Sequence, residues 1–410
     1  MKRFLPGLIL FLMFSPCAWA TWADKYVTAA AAGGGDGSAG SPWTLAEAIA
    51  AVASGDRVNI KAGVYANTTT SLTFATAGTT TAPIWWRGYS ATIGDLDTLA
   101  SHTTLTLPSI TFTTGQFIST GAHQIFSNLS VTSAATAAGG AVYVTGGTSK
   151  LIRCRVINSA ANVGAAAVTF ATGANNYLIG SYLSSNAAAN VVKDTASGAS
   201  IDQCYISGGL GGIVGGGTEI ITNNVIVGAA VDGINDNGRL VAIGNTIASN
   251  GGDGIELTAI STNTSIIAHN VIANNTGVGV KNSSGANTDQ MLLWDNVFYT
   301  NGGGNLSGLT EQADYTADLQ VAMLAQQESA SPFKAVGTDY SLQYNALSMG
   351  SRQTWVFENS TATSALSRGG LQPPADGWKV ISQNHQGLGL FVAGIGLLGL
   401  GIISVALRSR

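Results

Sequence analysis

Four strand-sized phrases recur through the middle of the chain: Asn224-Val-Ile-Val, Asn245-Thr-Ile-Ala, Asn270-Val-Ile-Ala and Asn296-Val-Phe-Tyr. The same slot upstream reads Asn128-Leu-Ser-Val, Cys154-Arg-Val-Ile, Ser181-Tyr-Leu-Ser and Cys204-Tyr-Ile-Ser, so successive copies lie 26, 27, 23, 20, 21, 25 and 26 residues apart. A period of this length marks a solenoid. One unit cannot bury its apolar face alone, so the copies must stack into an elongated body whose function would sit in columns along its side.

At 410 residues a globular chain would split into domains, but a repeat array grows by adding coils, and one long body is expected. The 53 glycines and only 10% charged residues describe many tight turns and a weakly charged surface. With 45% hydrophobic residues, disorder is excluded on composition. A net charge of −4 supplies no basic stripe, so no nucleic-acid partner is expected.

Both ends carry address signals. Met1-Lys-Arg, the apolar run Phe4 to Phe14 and Ala18-Trp-Ala20 read as a signal peptide over 1–20, giving a secreted chain. Residues 387–407 hold no charge and are followed by Arg408-Ser-Arg410, which predicts a transmembrane helix with a cytoplasmic tail at 408–410 and the body on the extracytoplasmic side. The Ser-, Thr-, Gly- and Pro-containing stretch 351–386 reads as a linker.

Residues 21–110 form a cap and the first coils on this reading. Thr44 and Glu47 make a capping box, and Leu45, Ala48, Ile49 and Val52 fall at helical spacing, which predicts a short helix covering the open end of the solenoid. Residues 111–350 carry the coils, with a partly helical insertion near 310–327. A second strand in each coil aligns at Ala141-Val142, Ala167-Val168, Asn190-Val191, Gly212-Ile213, Gly233-Ile234, Gly254-Ile255 and Gly279-Val280. Alternation then points one column outward: Tyr143, Thr169, Val192, Val214, Asn235, Glu256, Lys281. The recurring asparagines should form an amide ladder along the stack, since unpaired buried amides are costly. Cys154 and Cys204 share that column with Ser181 between them, about 9.6 Å apart at the usual strand spacing and too far for a disulfide.

Gly35-Asp-Gly-Ser38, Ser41-Pro-Trp-Thr-Leu-Ala-Glu-Ala-Ile49, Gly55-Asp-Arg-Val58 and Gly63-Val-Tyr65 together resemble the start of right-handed parallel β-helix proteins of the pectin lyase-like superfamily. The later Asn-x-Ile and Gly-Ile phrases resemble its repeats, over Tyr26 to Leu347. The resemblance implies an all-β, right-handed parallel β-helix with the short capping helix and C-terminal transmembrane helix read above. It leaves activity open, because the superfamily includes lyases, hydrolases, epimerases and adhesion proteins. The Asn-Thr-Asp, Asp-Asp, Gly-His-Gly and Arg-Ile-Lys motifs of polygalacturonase-type hydrolases are missing, as is the Tyr-Gly-Phe-Asp-Pro-His motif of alginate epimerases. No catalytic residue is carried over.

The candidate chemistry is therefore local. Asp232 and Asp253 lie one coil apart, about 5 Å at strand spacing, with Glu256, Lys281 and Asn235 on the same face and Arg239 nearby. Such proximity can raise one carboxylate pKa and separate acid from base roles. The same Asp-Gly dipeptides also serve as plain turns, and the pair admits a Ca²⁺ or carbohydrate contact. Tyr182 and Tyr205, on adjacent coils, read as a sugar platform or as cross-strand stacking. The four histidines show no metal-ligand spacing, so no metal site or obligatory cofactor is assigned. The leading expectation is a membrane-anchored surface protein that binds a polysaccharide or surface glycan or serves an adhesive role, with scope for self-association. The alternatives are a polysaccharide lyase or glycoside hydrolase acting through Asp232, Asp253, Glu256 and Lys281, and a virion or sheath component.

Overall fold

The computed structural model describes residues 22–309, apart from 67–69, 98–106, 138, 163, 174, 196–197, 260–264, 285–290 and 295. The expected signal peptide, the insertion near 310–327, the linker, the transmembrane helix and the tail lie outside the described residues. Among those described, no helix is long and apolar enough to cross a membrane.

The chain is a parallel β-solenoid. Among the described residues three sheets run along the solenoid, one of eleven strands and two of ten, and every pairing joins a strand to the strand one coil before or after it. The first sheet starts at Ala23–Val27, the second at Val64–Ala66 and the third at Leu72–Phe74. Side-chain alternation does the rest. In the second sheet Ile110, Val131, Val156, Leu183, Ile206, Ile226, Ile247, Ile272 and Phe298 lie in one register and are all at most 3% exposed. β-Branched and other bulky apolar side chains stacked this way each contribute roughly 1.5–3 kcal/mol by burial.

The single described helix, Leu45–Ala51, begins at the predicted capping box: the Thr44 side chain accepts from the Glu47 amide, and the Glu47 carboxylate accepts from the Thr44 amide at 2.8 Å. Its Leu45 and Ala48 are buried in the core with Val27 and Trp43. The helix covers apolar surface at the first coil, as expected of a cap.

Two columns of asparagine tie the coils together. Asn224, Asn245, Asn270 and Asn296 form the expected ladder, each side-chain oxygen accepting from the preceding member's backbone and side-chain amides at 2.9–3.0 Å. A second ladder, Asn250, Asn275 and Asn301, has the same form. Before Asn224, Asn245 and Asn270 of the first column the chain takes a left-handed residue (Asn223, Gly244 and His269), and so it does before Asn250, Asn275 and Asn301 of the second (Ser249, Asn274 and Thr300). One such residue turns the strand sharply, and the ladder amide then satisfies the backbone at the bend. Asn128 is one residue out of the expected register. It takes the left-handed slot at φ 57°, and Leu129 occupies the ladder column because Ser130 pairs with Arg155. Cys154 and Cys204 are buried thiols in that column with Ser181 between them; the Cys154 amide donates to Ser181 Oγ at 3.0 Å and the Cys204 amide to Asn224 Oδ1 at 2.8 Å.

Candidate active site on the third sheet

Strands of three residues dominate the later coils of the third sheet, so each presents one outward side chain between two inward ones. Ile234–Asp236, Ile255–Leu257 and Val280–Asn282 pair in register, which stacks Asn235, Glu256 and Lys281 on the outer face. Asp232 and Asp253 enter from the turns before the first two of these strands. The Gly212 amide donates to the Asp232 carbonyl and the Gly233 amide to the Asp253 carbonyl, each at 3.0 Å, so the two aspartates stack as well.

Each aspartate divides its carboxylate between structure and site. Asp232 Oδ1 accepts from the Asp253 amide at 2.8 Å, and Asp253 Oδ1 accepts from the Val278 amide at 2.6 Å. A Cβ at Gly252 would lie 2.5 Å from Asp232 Oδ1, and one at Gly277 would lie 2.2 Å from Asp253 Oδ1, so glycine at both places is what lets the carboxylates reach the next coil. The turn role expected of the Asp-Gly dipeptides is thus present, and it occupies only one oxygen of each residue.

The remaining oxygens converge. Asn235 Nδ2 donates to Asp232 Oδ2 at 3.1 Å and to Glu256 Oε2 at 3.0 Å. Lys281 Nζ donates to Glu256 Oε1 at 2.8 Å and lies 3.1 Å from Asp253 Oδ2. Ser283 Oγ donates to Glu256 Oε1 at 2.7 Å. Asp232 and Asp253 are buried, while the Lys281 side chain is 36% exposed at the open edge.

These contacts separate the protonation equilibria. Burial is the strongest influence on Asp232 and moves its pKa up, against the hydrogen bonds from Asn235 and the Asp253 amide. Burial alone would also raise Glu256, but the hydrogen bonds from Lys281 and Ser283 together with the Lys281 charge bring it below its ordinary value. Lys281 is raised, first by its bond to Glu256 and then by Asp253, and is held as an ammonium.

One carboxylate oxygen from each of Asp232, Asp253 and Glu256 lies within 4.8 Å of the others. An all-oxygen, anionic donor set of that size suits a hard divalent cation such as Ca²⁺.

The other sequence candidates lie elsewhere. Arg239 opens strand Arg239–Ile243 of the first sheet, paired with Thr218, around the corner from Asn235. Tyr182 and Tyr205 pair on the second sheet with ring centroids 5.4 Å apart and planes at 11°, and the Arg155 guanidinium lies 5.7 Å from the Tyr182 ring. Tyr205 is 2% exposed and has no face to offer a sugar, so the pair is cross-strand packing rather than a platform. The outward column also differs at one coil. Val192 pairs with Val168 and Ile213 and points inward, and Lys193 takes the outward place beside Thr169 and Val214. Val191 and Val192 are both fully buried, so the apolar alternation carries no phase information there. The missed signal was the charge of Lys193 in a strand otherwise apolar at its center.

Comparison with family models and with characterised sequences finds no match. Among solved structures the chain is similar to pectate lyase Pel9A, with 16% identity and a TM-score of 0.41 over 74% of this chain and 86% of that one. It is also similar to the PL6 family alginate lyase AlyGC, with 14% identity and a TM-score of 0.43 over 69% of this chain and 40% of that one. A rhamnogalacturonan lyase matches with 14% identity and a TM-score of 0.40 over 68% of this chain and 74% of that one.

Proposed function

We propose that the outer face of the third sheet is a polysaccharide groove and that the cluster at Asp232, Asp253, Glu256 and Lys281 cleaves a uronate-containing chain by β-elimination. The observation that carries this reading is geometric: across three consecutive coils Asp253 and Glu256 meet the partly exposed Lys281 ammonium, and the Asn235 amide joins Glu256 to the buried Asp232. β-Elimination needs a base for the proton α to the uronate carboxylate, positive charge to stabilise the resulting carbanion, and a proton for the departing glycosidic oxygen. In the balanced step the C–H bond breaks, its electron pair forms the C=C bond, and the glycosidic C–O bond breaks with its pair leaving on oxygen.

Asp232 is the base on this reading, since an upward-shifted carboxylate accepts a proton more readily at neutral pH. Lys281, at the open edge, neutralises the uronate carboxylate, and the departing oxygen takes its proton from solvent water there. Glu256 stays ionised and orients Lys281, and Asn235 holds Glu256 and Asp232 at fixed separation rather than binding substrate. A Ca²⁺ ion held by Asp232, Asp253 and Glu256 would take up the base and the oxygens that Lys281 bridges, so it would compete with this reaction rather than assist it.

Hydrolysis fits less well. A glycosidase sets its two carboxyl groups across the scissile bond, whereas here one amide group bridges Asp232 and Glu256 on a single surface. The leader and apolar tail read from the sequence would suit delivery of such a groove to a polysaccharide outside the cytoplasm.

The test is incubation with a panel of uronate and neutral polysaccharides, with and without added Ca²⁺, reading ultraviolet absorbance of unsaturated ends and, separately, new reducing ends. Unsaturated product from a uronate polymer, lost in Lys281→Met, supports the lyase. Retention on a glycan column without turnover would replace it by the carbohydrate-binding reading, and assembly without either would favor a structural role.

A further inference from the structure

A second acidic group lies inside the solenoid, where the third sheet turns into the first. Asp194 ends strand Asn190–Asp194 and Asp236 ends strand Ile234–Asp236. Between them stands Gly215, which pairs directly with Asp236 and has no side chain to offer. Glu219, facing inward from strand Thr218–Thr222, fills that space. A Cβ at Gly215 would lie 2.8 Å from its carboxyl carbon.

The three carboxylates perform the same local task on successive coils. Asp194 Oδ2 accepts from the Ala199 amide at 3.1 Å, and Asp236 Oδ1 accepts from the Gly238 amide at 2.5 Å. Glu219 Oε1 accepts from the Gly216 and Gly217 amides at 2.9 and 2.8 Å, replacing the side chain that Gly215 lacks. That leaves Glu219 Oε2 and Asp236 Oδ2 buried without a donor, on two residues that are both fully buried and within hydrogen-bonding reach of each other. Leu240 flanks Glu219 in the first sheet and Leu257 flanks Asp236 in the third, and the charges acting on the pair are each other's and that of Asp194. Two ionised carboxylates cannot share such a site, while one proton satisfies both orphaned oxygens at once.

We propose that Glu219 and Asp236 share one proton in an O–H···O bond inside the solenoid, and that losing it in mild alkali loosens the coil that presents Asn235 to the outer cluster. Asn235 and Asp236 are consecutive residues of one strand, so a charge on the inner side acts on the outer side through the same three-residue element. Burial, and then the charge of Asp236, push Glu219 up to about 8. A raised folded-state pKa gives stability that is complete below the ordinary carboxylate range and is lost as pH rises through that value.

The experiment combines infrared spectroscopy with thermal melts of the intact chain and its Glu219→Gln and Asp236→Asn variants. The wild type should show a buried protonated-carboxyl stretch at neutral pH that is missing in Glu219→Gln. Its Tm should fall by roughly 5 °C between about pH 6 and about pH 9, and either amide variant should at least halve that fall. Hydrogen exchange at the Ile234–Asp236 amides should accelerate beyond the intrinsic base-catalysed rise in the wild type alone. A wild type with no protonated-carboxyl band, or a Glu219→Gln variant with an unchanged alkaline fall, overturns the proposal. So does a band abolished by Ca²⁺ with a matching rise in Tm, which would put a cation in place of the proton. If Glu219→Gln fails to fold, Asp236→Asn and the wild-type band still decide the matter.

Discussion

Lys281 and Glu256 face each other across adjacent coils with Nζ 2.8 Å from Oε1, and the same ammonium lies 3.1 Å from Asp253 Oδ2. The pair is partly open to water, so its contribution to stability is small, within about 1 kcal/mol. Replacing Lys281 by Met should therefore leave the melting curve nearly unchanged. Turnover of a uronate polymer should drop by about 100-fold or more, in keeping with loss of a charge-stabilising group. Parallel loss of fold and activity, measured by circular dichroism beside the ultraviolet assay, would make Lys281 a structural residue.

The pH profile separates Asp232 from Glu256. Asp232 is raised and must be ionised to accept a proton, so kcat/KM should rise with pH through a limb lying above the ordinary carboxylate range. Asp232→Asn should abolish that limb together with most of the activity. Glu256 is lowered, so its contribution to stability is present above its unfolded-state pKa and disappears only as pH falls through the lower folded value. Glu256→Gln should accordingly lose stability relative to the wild type at neutral and alkaline pH, with the difference closing as pH falls through the lowered Glu256 value. Thermal melts across pH check the second statement, and initial rates the first.

The coil architecture was legible because a stacked amide demands the same residue at the same place in each circuit, and Asn224, Asn245, Asn270 and Asn296 obey that demand. Asn250, Asn275 and Asn301 obey it too, but glycine-rich turns surround them and hide the phase. The outer cluster could be read wherever strands carry one outward residue between two apolar ones, as at Asn235, Glu256 and Lys281. It failed at Val192, where two adjacent buried valines leave the alternation undefined, and at Asn128, where a left-handed residue and a ladder residue exchange roles. Glu219 was out of reach for a different reason. Its partner Asp236 lies across a corner in another sheet, and the cue is an absence, the missing side chain of Gly215.

Asn245 tests the ladder. Its Nδ2 donates to the Ile221 carbonyl at 2.8 Å and to Asn270 Oδ1 at 3.0 Å, while its Oδ1 accepts from the backbone and side-chain amides of Asn224 at 2.9 and 3.0 Å. Asn245→Ala removes these bonds and leaves buried donors on Asn224 without their acceptor, at a cost of roughly 3 kcal/mol. Urea unfolding should show this loss, whereas Asn237, exposed on a neighboring turn, should tolerate alanine within about 0.5 kcal/mol. Equal effects at the two positions would mean that the column does not bear on stability.

Cys154 and Cys204 test the register independently of any activity. Two coils separate them in the ladder column, and neither is in a disulfide. The Cys154 thiol is fully enclosed, and burial pushes its pKa up to about 11, so little thiolate forms at neutral pH. Its contacts are backbone carbonyls, with Sγ 3.5 Å from the Phe126 oxygen and 3.6 Å from that of Ile152. A charged disulfide reagent should accordingly label neither cysteine in the native protein at neutral pH and both in denaturant, with no mass loss from an internal bridge in the untreated chain. Rapid labelling of Cys154 under native conditions would mean that the coil opens locally. A bridge between Cys154 and Cys204 would require their Cα atoms to lie within about 7 Å, which the intervening Ser181 coil forbids.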